Sequence, residues 1–468
     1  MQPSPRTRLP RRCSRTPFLP RPPRPRAVAA GVRPGAEAPL RSPFSRIVAG
    51  PLSRAFSSRN ARIFFGASLS AWTGLWMHRI GVAWLAWELT RSPAWVGLIA
   101  FADLAPAVLV SPIAGAVADR VDRVRLTMLS QGTIAAEAAV VAALAATGNI
   151  SIGLLFALEM VSGTAACFSQ PARQTLIPAL VAREDLPAAV AANSLLFNVA
   201  RFVGPGLAGP LIAGWGVAPA IFCNAIGHGF ATLSMPWLRV DAAQRRGHPA
   251  TTSLLAETLE GFRYAARHPG LGPIIAFSAL SSVLLRGVQE ILPPYVERLF
   301  GRGAESLAML TAAFAVGALV SGLVVASRGR LQGTTRIAVL AILAQAAATA
   351  GFVATNHFAF ALLCGAAIGA AASAHGISVQ VLAQTAASPS MRGRVMSLWA
   401  LVTRACPALG ALALGLAGEA MGLRIPTLVA VTLTLLVFAW GMSCRSRIAA
   451  SLETSPERKP ATTEGEKH

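Results

Sequence analysis

The sequence predicts an all-α integral membrane protein with twelve transmembrane helices in two pseudo-symmetric six-helix bundles. Three observations lead to this fold class. The 468 residues are 54% hydrophobic and 13% charged, whereas about a quarter of the residues in a soluble domain are charged. Charges are absent in whole blocks of roughly 20 to 25 residues, the length of helix that crosses a bilayer. Arginines gather in the short loops between these blocks.

Long runs of Ala, Leu, Val and Gly favour helices over the strands of a membrane barrel. A chain inside the bilayer must pair its own backbone polar groups, which a helix or a closed barrel achieves. Barrel strands alternate apolar and polar residues, but these blocks are apolar throughout. We predict spans at 63–87, 94–117, 125–147, 150–172, 188–213, 218–238, 271–296, 305–327, 336–355, 357–380, 394–418 and 423–443.

Both termini are predicted to lie in the cytoplasm. With the amino terminus inside, the inner loops carry fifteen arginines and the outer loops carry four, as the positive-inside rule requires. This distribution accounts for the net charge of +22 without a nucleic-acid partner. We therefore expect a multi-pass protein of the plasma (inner) membrane.

Polar segments divide the chain into five parts. The first 60 residues hold thirteen arginines, twelve prolines and one acid, a composition that cannot bury a core and predicts disorder. We expect, in order, a disordered tail at 1–60, a six-helix bundle at 61–238, a cytoplasmic linker at 239–270, a second six-helix bundle at 271–444 and a disordered tail at 445–468.

The linker contains one predicted amphipathic helix. Leu255, Leu259, Phe262 and Ala266 fall on one helical face, which predicts a surface helix at the membrane interface. A simple connecting role is the alternative interpretation.

The turn between the second and third spans is dense in charge. The sequence GAVADRVDRVR at 115–125 holds two acids and three arginines between two apolar blocks. Gly115 permits close helix approach, and Asp119 can cap a helix amino terminus. The pattern resembles the signature loop of the major facilitator superfamily, although Asp122 stands where many members have Gly. The resemblance implies a cytoplasmic latch that faces Met391–Arg394 and is formed by Gly115, Asp119, Arg120, Asp122, Arg123 and Arg125; a loop that only orients the helices is the alternative.

Longer segments resemble one branch of this superfamily, the transmembrane secretion effectors that include the enterobactin exporter and macrolide efflux proteins. They are WMHRIGVAWLAWELT, the stretch from QPARQTL to GPGLAG, LEGFRYAARHPGL and MRGRVMSLWALVTRACPALGAL, and the likeness covers about residues 60 to 445. The resemblance implies secondary active export of a small amphipathic or hydrophobic molecule, such as a drug, macrolide, siderophore or related metabolite. It also implies proton antiport with alternating access.

Other functions remain as alternatives. A lysophospholipid or other lipid flippase of the same fold is one, and a sensor or scaffold is another. The sequence contains no HExxH, GxSxG or glycine-rich nucleotide loop, so we expect no enzyme activity. Six scattered cysteines form no CxxC pair, and we expect neither a metal nor a cofactor. The expected partners are the lipid bilayer, the small-molecule substrate and protons, and the protein is expected to be monomeric.

The fifth span carries a motif similar to one of drug antiporters. VGPGLAGP at 203–210 resembles the Gly-Pro-x-x-Gly-Gly pattern, with Gly204, Pro205 and Gly209 in place and Ala208 replacing one glycine. Glycines permit close helix packing, and proline frees a backbone carbonyl and bends the helix. Ordinary helix packing is the alternative interpretation.

Several ionisable residues are predicted within the spans. Each costs about 2.5–3.5 kcal/mol at the bilayer centre, so each needs a partner or a function. Arg79 and Asp103 lie at similar depth on consecutive spans and are the first candidates for proton coupling, since a substrate that competes for the arginine would change the protonation of the acid. Glu159 and Glu137, near the middle of their spans, come next. A static ion pair is the alternative for each.

Four further charges are candidates for a gate or for an intramembrane ion pair. Arg201 and Arg404 occupy matching positions 203 residues apart, and we expect them to hold helix ends or a gate. Arg286 and Glu290 are four residues apart and therefore neighbours on one helical face. His78 is expected to be a packing residue, with a proton relay as the alternative. The tryptophans of the first span are predicted to face lipid or to anchor the span at the membrane interface, with a stacking surface as the alternative.

Overall fold

Helices account for nearly all of the chain that the computed structural model describes, which is residues 54–107, 110, 114, 117, 121–240, 254–328, 330–388 and 390–453. No strand occurs within these ranges. In the first half of the sequence the helices are α1 (Arg59–Thr90), α2 (Pro93–Leu104), α3 (Arg123–Ala146), α4 (Ile152–Leu180), α5 (Leu186–Trp215) and α6 (Val217–Ser234).

A second series of helices follows from residue 254. It consists of α7 (Leu254–Arg267), α8 (Leu271–Ser281), α9 (Gly287–Glu290), α10 (Leu292–Phe300), α11 (Ala304–Ser327), α12 (Thr334–Ala354), α13 (Phe358–Ala386), α14 (Arg392–Met421) and α15 (Arg424–Leu452).

Short polar side chains fix where the first four helices begin. Ser58, Ser92, Asp122 and Ser151 each accept a hydrogen bond from a backbone N–H of the first turn of α1, α2, α3 and α4, respectively. Such caps satisfy donors that have no partner inside the helix. Asp122 therefore caps α3, whereas Asp119, a candidate cap in the sequence, lies outside the described residues.

Ten helical segments are long and apolar enough to cross a membrane, counted over the part of the chain that is described. They are α3 to α6, the combined α8 and α9, and α11 to α15. Helix α1 has 32 residues, but its charged residues, glycines and tryptophans lower its hydropathy. The predicted second span, 94–117, is described as α2 and a few residues beyond it; most of its carboxy-terminal half lies outside the described residues.

The predicted span 271–296 is not one continuous helix. A π-helical turn at Ser282–Arg286 separates α8 from α9, and the chain breaks again at Ile291 before α10. Pro293 and Pro294 open α10, since proline has no N–H to continue the preceding helix. The two consecutive prolines are visible in the sequence and could have predicted this break.

The last helix is longer than predicted. It continues to Leu452, so the tail predicted from 445 begins with helix, and that boundary was wrong. Glu453 then accepts hydrogen bonds from the backbone N–H groups of Gly333 and Thr335, both at 2.7 Å. This carboxylate caps α12 and connects the residue after α15 with the start of α12.

Helix α7 is the helix predicted in the linker. Its residues Leu259 and Phe262 are exposed, as expected of an apolar face that meets lipid. Glu260 on the same helix binds Arg394 at 2.8 Å (Oε1 to Nη1). The helix is thereby attached to the start of α14.

Three hydrophobic clusters organise the interior. The largest joins both halves of the sequence near the loop after α1, and it includes Trp84, Val217, Leu292, Phe352 and Leu414. The other two each draw on one half, residues 61–240 and residues 265–452, respectively. Helix packing follows the same division, and the main contacts between the halves are α2 with α14 and α5 with α11. We call the end with the shared cluster the Arg91 end.

Candidate functional site

A cavity of about 330 Å³ lies among α1, α2, α4, α5, α9, α11 and α14. It collects charges that are far apart in the sequence. Six ionisable side chains line it: Arg79, Asp103, Arg201, Arg286, Glu290 and Arg404. A larger groove of about 510 Å³ between α3 and α4 is lined by apolar and hydroxyl-bearing residues without any charge. The charged cavity is therefore the candidate site.

Arg79 forms the central ion pair of the cavity. Its Nη2 atom lies 3.0 Å from Oδ2 of Asp103, as predicted, and 3.7 Å from Oε2 of Glu290. The sequence spacing placed Glu290 beside Arg286 on one regular helix. Arg286 does lie within electrostatic range of Glu290, but the ion pair that Glu290 forms within 4.0 Å is with Arg79. One guanidinium thus faces two carboxylates, which come from α2 and α9.

The other three arginines of the cavity lack such partners. No carboxylate of the described residues lies within 4.0 Å of Arg201, Arg286 or Arg404. Arg201 instead packs over the ring of Trp76, with its Cζ atom 5.3 Å from the ring centroid, and the Cζ atom of Arg79 lies 5.5 Å from the same centroid. Arg201 and Arg404 both line the cavity, and the expectation that they hold helix ends or a gate stays a prediction.

A second group of ionisable residues is buried beside the cavity. His78 Nε2 lies 3.0 Å from Glu159 Oε1, and one ligand atom from each of His78, Glu137 and Glu159 falls within 4.8 Å of the others. All three residues are at most 4% exposed. We call them the buried cluster.

Glu137 is the unusual member of the buried cluster. Neither of its carboxylate oxygens has a hydrogen-bond partner within 3.5 Å among the described residues, and His78 Nδ1 also lacks one; the hydroxyl of Ser162 is a neighbouring donor. With His78 protonated and both glutamates ionised, the cluster carries one net negative charge. Burying an uncompensated charge is costly, so the cluster needs one further cation. A proton satisfies this requirement, and a histidine with two carboxylates is also a set of ligand types that Zn²⁺ accepts.

Glu137 and Glu159 were predicted from the sequence as separate candidates, and their convergence with His78 was not predicted. The three residues come from α3, α4 and α1, and their convergence depends on how these helices pack. One feature of the sequence could have indicated this convergence: three spans each place one ionisable side chain near mid-membrane depth.

Polar contacts close the Arg91 end. Glu297 on α10 accepts a hydrogen bond from Trp87 Nε1 at 2.5 Å and forms an ion pair with Arg91. Arg298 donates to the carbonyl of Arg91 at 2.8 Å and stacks over Trp87 at 5.1 Å. Trp87 is 1% exposed. Interfacial anchoring was therefore the wrong interpretation for Trp87, which holds α1 against α10.

The residues of the antiporter-like motif lie at helix contacts. A Cβ atom at Gly204 would lie 2.6 Å from Cβ of Trp76, and one at Gly209 would lie 2.4 Å from Cβ of Ala308. Pro205 lies between them inside α5. The two glycines therefore allow α5 to approach α1 and α11, respectively.

The predicted latch is only partly described. Gly115, Asp119 and Arg120 lie outside the described residues. Asp122 Oδ1 accepts hydrogen bonds from the N–H groups of Val124 and Arg125 at 2.9 and 3.0 Å, and Arg123 and Arg125 open α3.

Comparison with known proteins agrees with this architecture. Residues 50–464 match the family described as transmembrane secretion effector. The multidrug efflux pump Tap of Mycolicibacterium fortuitum is 24% identical over 379 residues, which cover 79% of this chain and 92% of Tap. The enterobactin exporter EntS of Escherichia coli O1:K1 is 27% identical over 319 residues, with 66% of this chain and 73% of EntS covered.

A further relative matches over a shorter length. The staphyloferrin A transporter of Staphylococcus aureus is 27% identical over 173 residues, which span 37% of this chain and 44% of that transporter. Among solved structures, a bacterial homologue of the human lysosomal transporter Spinster superposes with a TM-score of 0.65 at 16% identity, covering 84% of this chain and 98% of the homologue. The fold is therefore that of major facilitator transporters.

Proposed function

The chain belongs to the transmembrane secretion effector family of the major facilitator superfamily, and we propose that it exports a small amphipathic or hydrophobic molecule across the plasma membrane in exchange for protons. The relatives described as an efflux pump and as an exporter support the direction of transport. The cavity supports binding, because in membrane proteins ionisable residues at this depth mark substrate and ion pathways.

The proposed architecture has twelve spans in two six-helix bundles, with both termini in the cytoplasm. The ten apolar helices, together with α1 and the span that starts with α2, supply this number. The separate hydrophobic clusters of 61–240 and 265–452 support two bundles. A site between two such halves is the arrangement that alternating access uses.

Closure at the Arg91 end supports alternating access. The positive-inside rule puts this end outside, so its contacts would separate the cavity from the external medium. In the opposite state the latch at 115–125 would hold the halves together at the cytoplasmic end. Arg394, whose partner in this structure is Glu260, lies where the latch would bind.

The unpartnered carboxylate of Glu137 is the observation that carries the proton-exchange part of this proposal. Asp103 was the first candidate from the sequence, but Arg79 binds it directly at 3.0 Å. The buried cluster becomes electrically neutral when it takes up one proton. His78 and Glu159 are in hydrogen-bond contact at 3.0 Å, and the ligand atoms of all three residues lie within 4.8 Å of one another. We therefore assign coupling to Glu137, Glu159 and His78.

Helix α1 connects this proton site with the cavity. His78 belongs to the buried cluster, and the next residue, Arg79, binds Asp103 and Glu290 in the cavity. A change in the charge of the cluster alters the field at Arg79, and a displacement of α1 moves both side chains. Proton uptake and substrate release are thereby linked through two consecutive residues.

Efflux from living cells tests this function. Efflux-deficient bacteria expressing the protein are loaded with fluorescent dyes or labelled macrolides, and loss is followed with and without a protonophore. We expect Glu137→Gln to reduce protonophore-sensitive efflux at least tenfold. Glu419→Gln, an exposed position on α14, is the matched control and should behave as the unchanged protein.

Two results would contradict the proposal. Efflux that is insensitive to the protonophore would exclude proton exchange. A loss confined to Asp103→Asn, with Glu137→Gln fully active, would move the coupling site from the buried cluster to the Arg79 ion pair.

A further inference from the structure

We propose that the exported molecule is an organic anion whose acidic group is bound by Arg201, Arg286 and Arg404 in the central cavity. This inference rests on the export function proposed above and names its substrate class.

The charge balance of the cavity is the first argument. Four arginines and two acids line it, which leaves an excess of two positive charges. Both acids lie within 4.0 Å of Arg79. The remaining carboxylates near mid-membrane depth, Glu137 and Glu159, belong to the buried cluster with His78 and do not line the cavity.

The excess cannot be removed by loss of protons. Arginine keeps its charge in proteins, unlike histidine or a carboxylate. A surplus of permanent positive charge inside a membrane is unfavourable and requires a counter-charge. Over the described residues, no carboxylate meets Arg201, Arg286 or Arg404 within ion-pair distance. The counter-charge is therefore expected from the ligand.

The arginines come from three separate elements and share one cavity. Arg201 lies on α5, Arg286 ends the π-helical turn, and Arg404 lies on α14. Guanidinium groups bind carboxylate and phosphate through paired hydrogen bonds, and a sulfonate offers the same oxygens. An acid bound here would connect α5 with the two elements of the second half.

The rest of the lining indicates the body of the ligand. Trp76 and Phe197 stack edge to face with centroids 6.1 Å apart, and Phe314 also lines the cavity. The amide of Gln289 has a buried Nε2 atom without a partner among the described residues and offers a neutral donor. The site fits an acid attached to an aromatic or apolar group.

Two dyes that share one body test this inference. 1-Anilinonaphthalene-8-sulfonate is an anion, and N-phenyl-1-naphthylamine is its neutral analogue without the sulfonate. Binding is measured as thermal stabilisation of the purified full chain in detergent. We expect the anion to raise the Tm well above the effect of the neutral dye, and Arg286→Gln and Arg404→Gln to remove this difference.

The matched control is Arg447→Gln, an exposed arginine on α15, which should leave the difference unchanged. Equal stabilisation by both dyes, or an anion effect that survives both cavity substitutions, would overturn the inference. Without dye, the Tm of each variant must lie within a few degrees of the Tm of the unchanged protein, so that loss of folding is separated from loss of binding.

Export assays then separate this inference from the export function itself. In proteoliposomes with an imposed proton gradient, we expect the anionic dye to be moved and each cavity substitution to slow it at least tenfold. Gradient-driven export of ethidium or of the neutral dye, but not of the anion, would leave the export function standing and overturn the anion inference. Anion binding without gradient-driven movement of any probe would instead contradict the export function.

The same anionic chemistry occurs on a lipid headgroup. A fluorescent lysophosphatidylglycerol is tested beside the sulfonate dye in the same proteoliposomes. Movement of the lysolipid, lost in Arg404→Gln, would identify the anion as a headgroup. Movement of the sulfonate dye alone would identify a soluble organic acid.

Discussion

Replacement of Gly209 by alanine is predicted to open the Arg91 end of the protein. The new Cβ would lie 2.4 Å from Cβ of Ala308, whereas two carbon atoms pack best at about 3.5–4.0 Å. Helices α5 and α11 must therefore separate by about 1 Å. Overpacking of this kind costs about 1–3 kcal/mol. Under the proposed alternating access this contact belongs to the state that is closed at the Arg91 end, and we therefore expect the population of that state to fall about 5- to 150-fold.

Labelling of the cavity measures this shift. Thr311 lines the cavity, and a Thr311→Cys variant in a background without the six native cysteines gives one reactive thiol. A membrane-impermeant maleimide added outside intact cells should label it faster in the Gly209→Ala variant by the same factor. Ala308→Gly removes the opposing methyl group and should restore slow labelling.

Gly206→Ala is the control for helix propensity, because a Cβ at Gly206 would meet nothing within 4 Å. It adds the same methyl group to the same helix and should leave labelling unchanged. Equal labelling of the Gly209→Ala and Gly206→Ala variants would refute the reasoning. Fast labelling that persists with Ala308→Gly would show that the contact between α5 and α11 is not the cause.

Three further outcomes follow from the contacts. Glu297→Gln removes the ion pair with Arg91, and such partly exposed pairs contribute about 0–1 kcal/mol. The rate of labelling of Thr311→Cys should therefore rise less than about fivefold, with a smaller rise at high salt. Glu453→Ala removes the cap of α12 and should cost about 1 kcal/mol, seen as a lower Tm in detergent; an unchanged Tm would contradict the cap. Gly369→Ala places a Cβ 1.9 Å from a backbone carbonyl of α11, so we expect no folded protein, measured as loss of the monodisperse peak in size-exclusion chromatography. Gly376→Ala, whose Cβ would meet nothing within 4 Å, should express normally.

Properties that depend on one helix could be predicted from the sequence. Apolar runs located the helices to within a few residues in most cases, because transfer into lipid depends on the composition of each run. The pair of Arg79 with Asp103 could also be predicted, since consecutive spans meet at equal depth. Both inferences use the position along the helix axis, which the residue number supplies directly.

Properties that depend on helix rotation could not be predicted in this way. The buried cluster requires α1, α3 and α4 to turn His78, Glu137 and Glu159 toward one point, and the single sequence does not contain the angles between helices. Arg201 and Arg404 were recognised as matching positions, but the sequence did not show that both side chains line one cavity. For Glu290 the helical spacing indicated its neighbour Arg286 but not its ion pair with Arg79, which comes from a different helix.

The ring of Trp76 leads to a consequence for selectivity. Aromatic side chains in a pocket often attract quaternary ammonium compounds through the negative face of the ring. In this protein two guanidinium groups already lie over this ring: the Cζ atoms of Arg79 and Arg201 are 5.5 and 5.3 Å from the ring centroid of Trp76, respectively. A cationic antiseptic would have to displace one of the protein's own charges before it could reach the indole. The aromatic wall of the cavity therefore offers no advantage to such compounds, and resistance to them is not expected to increase with expression of this protein.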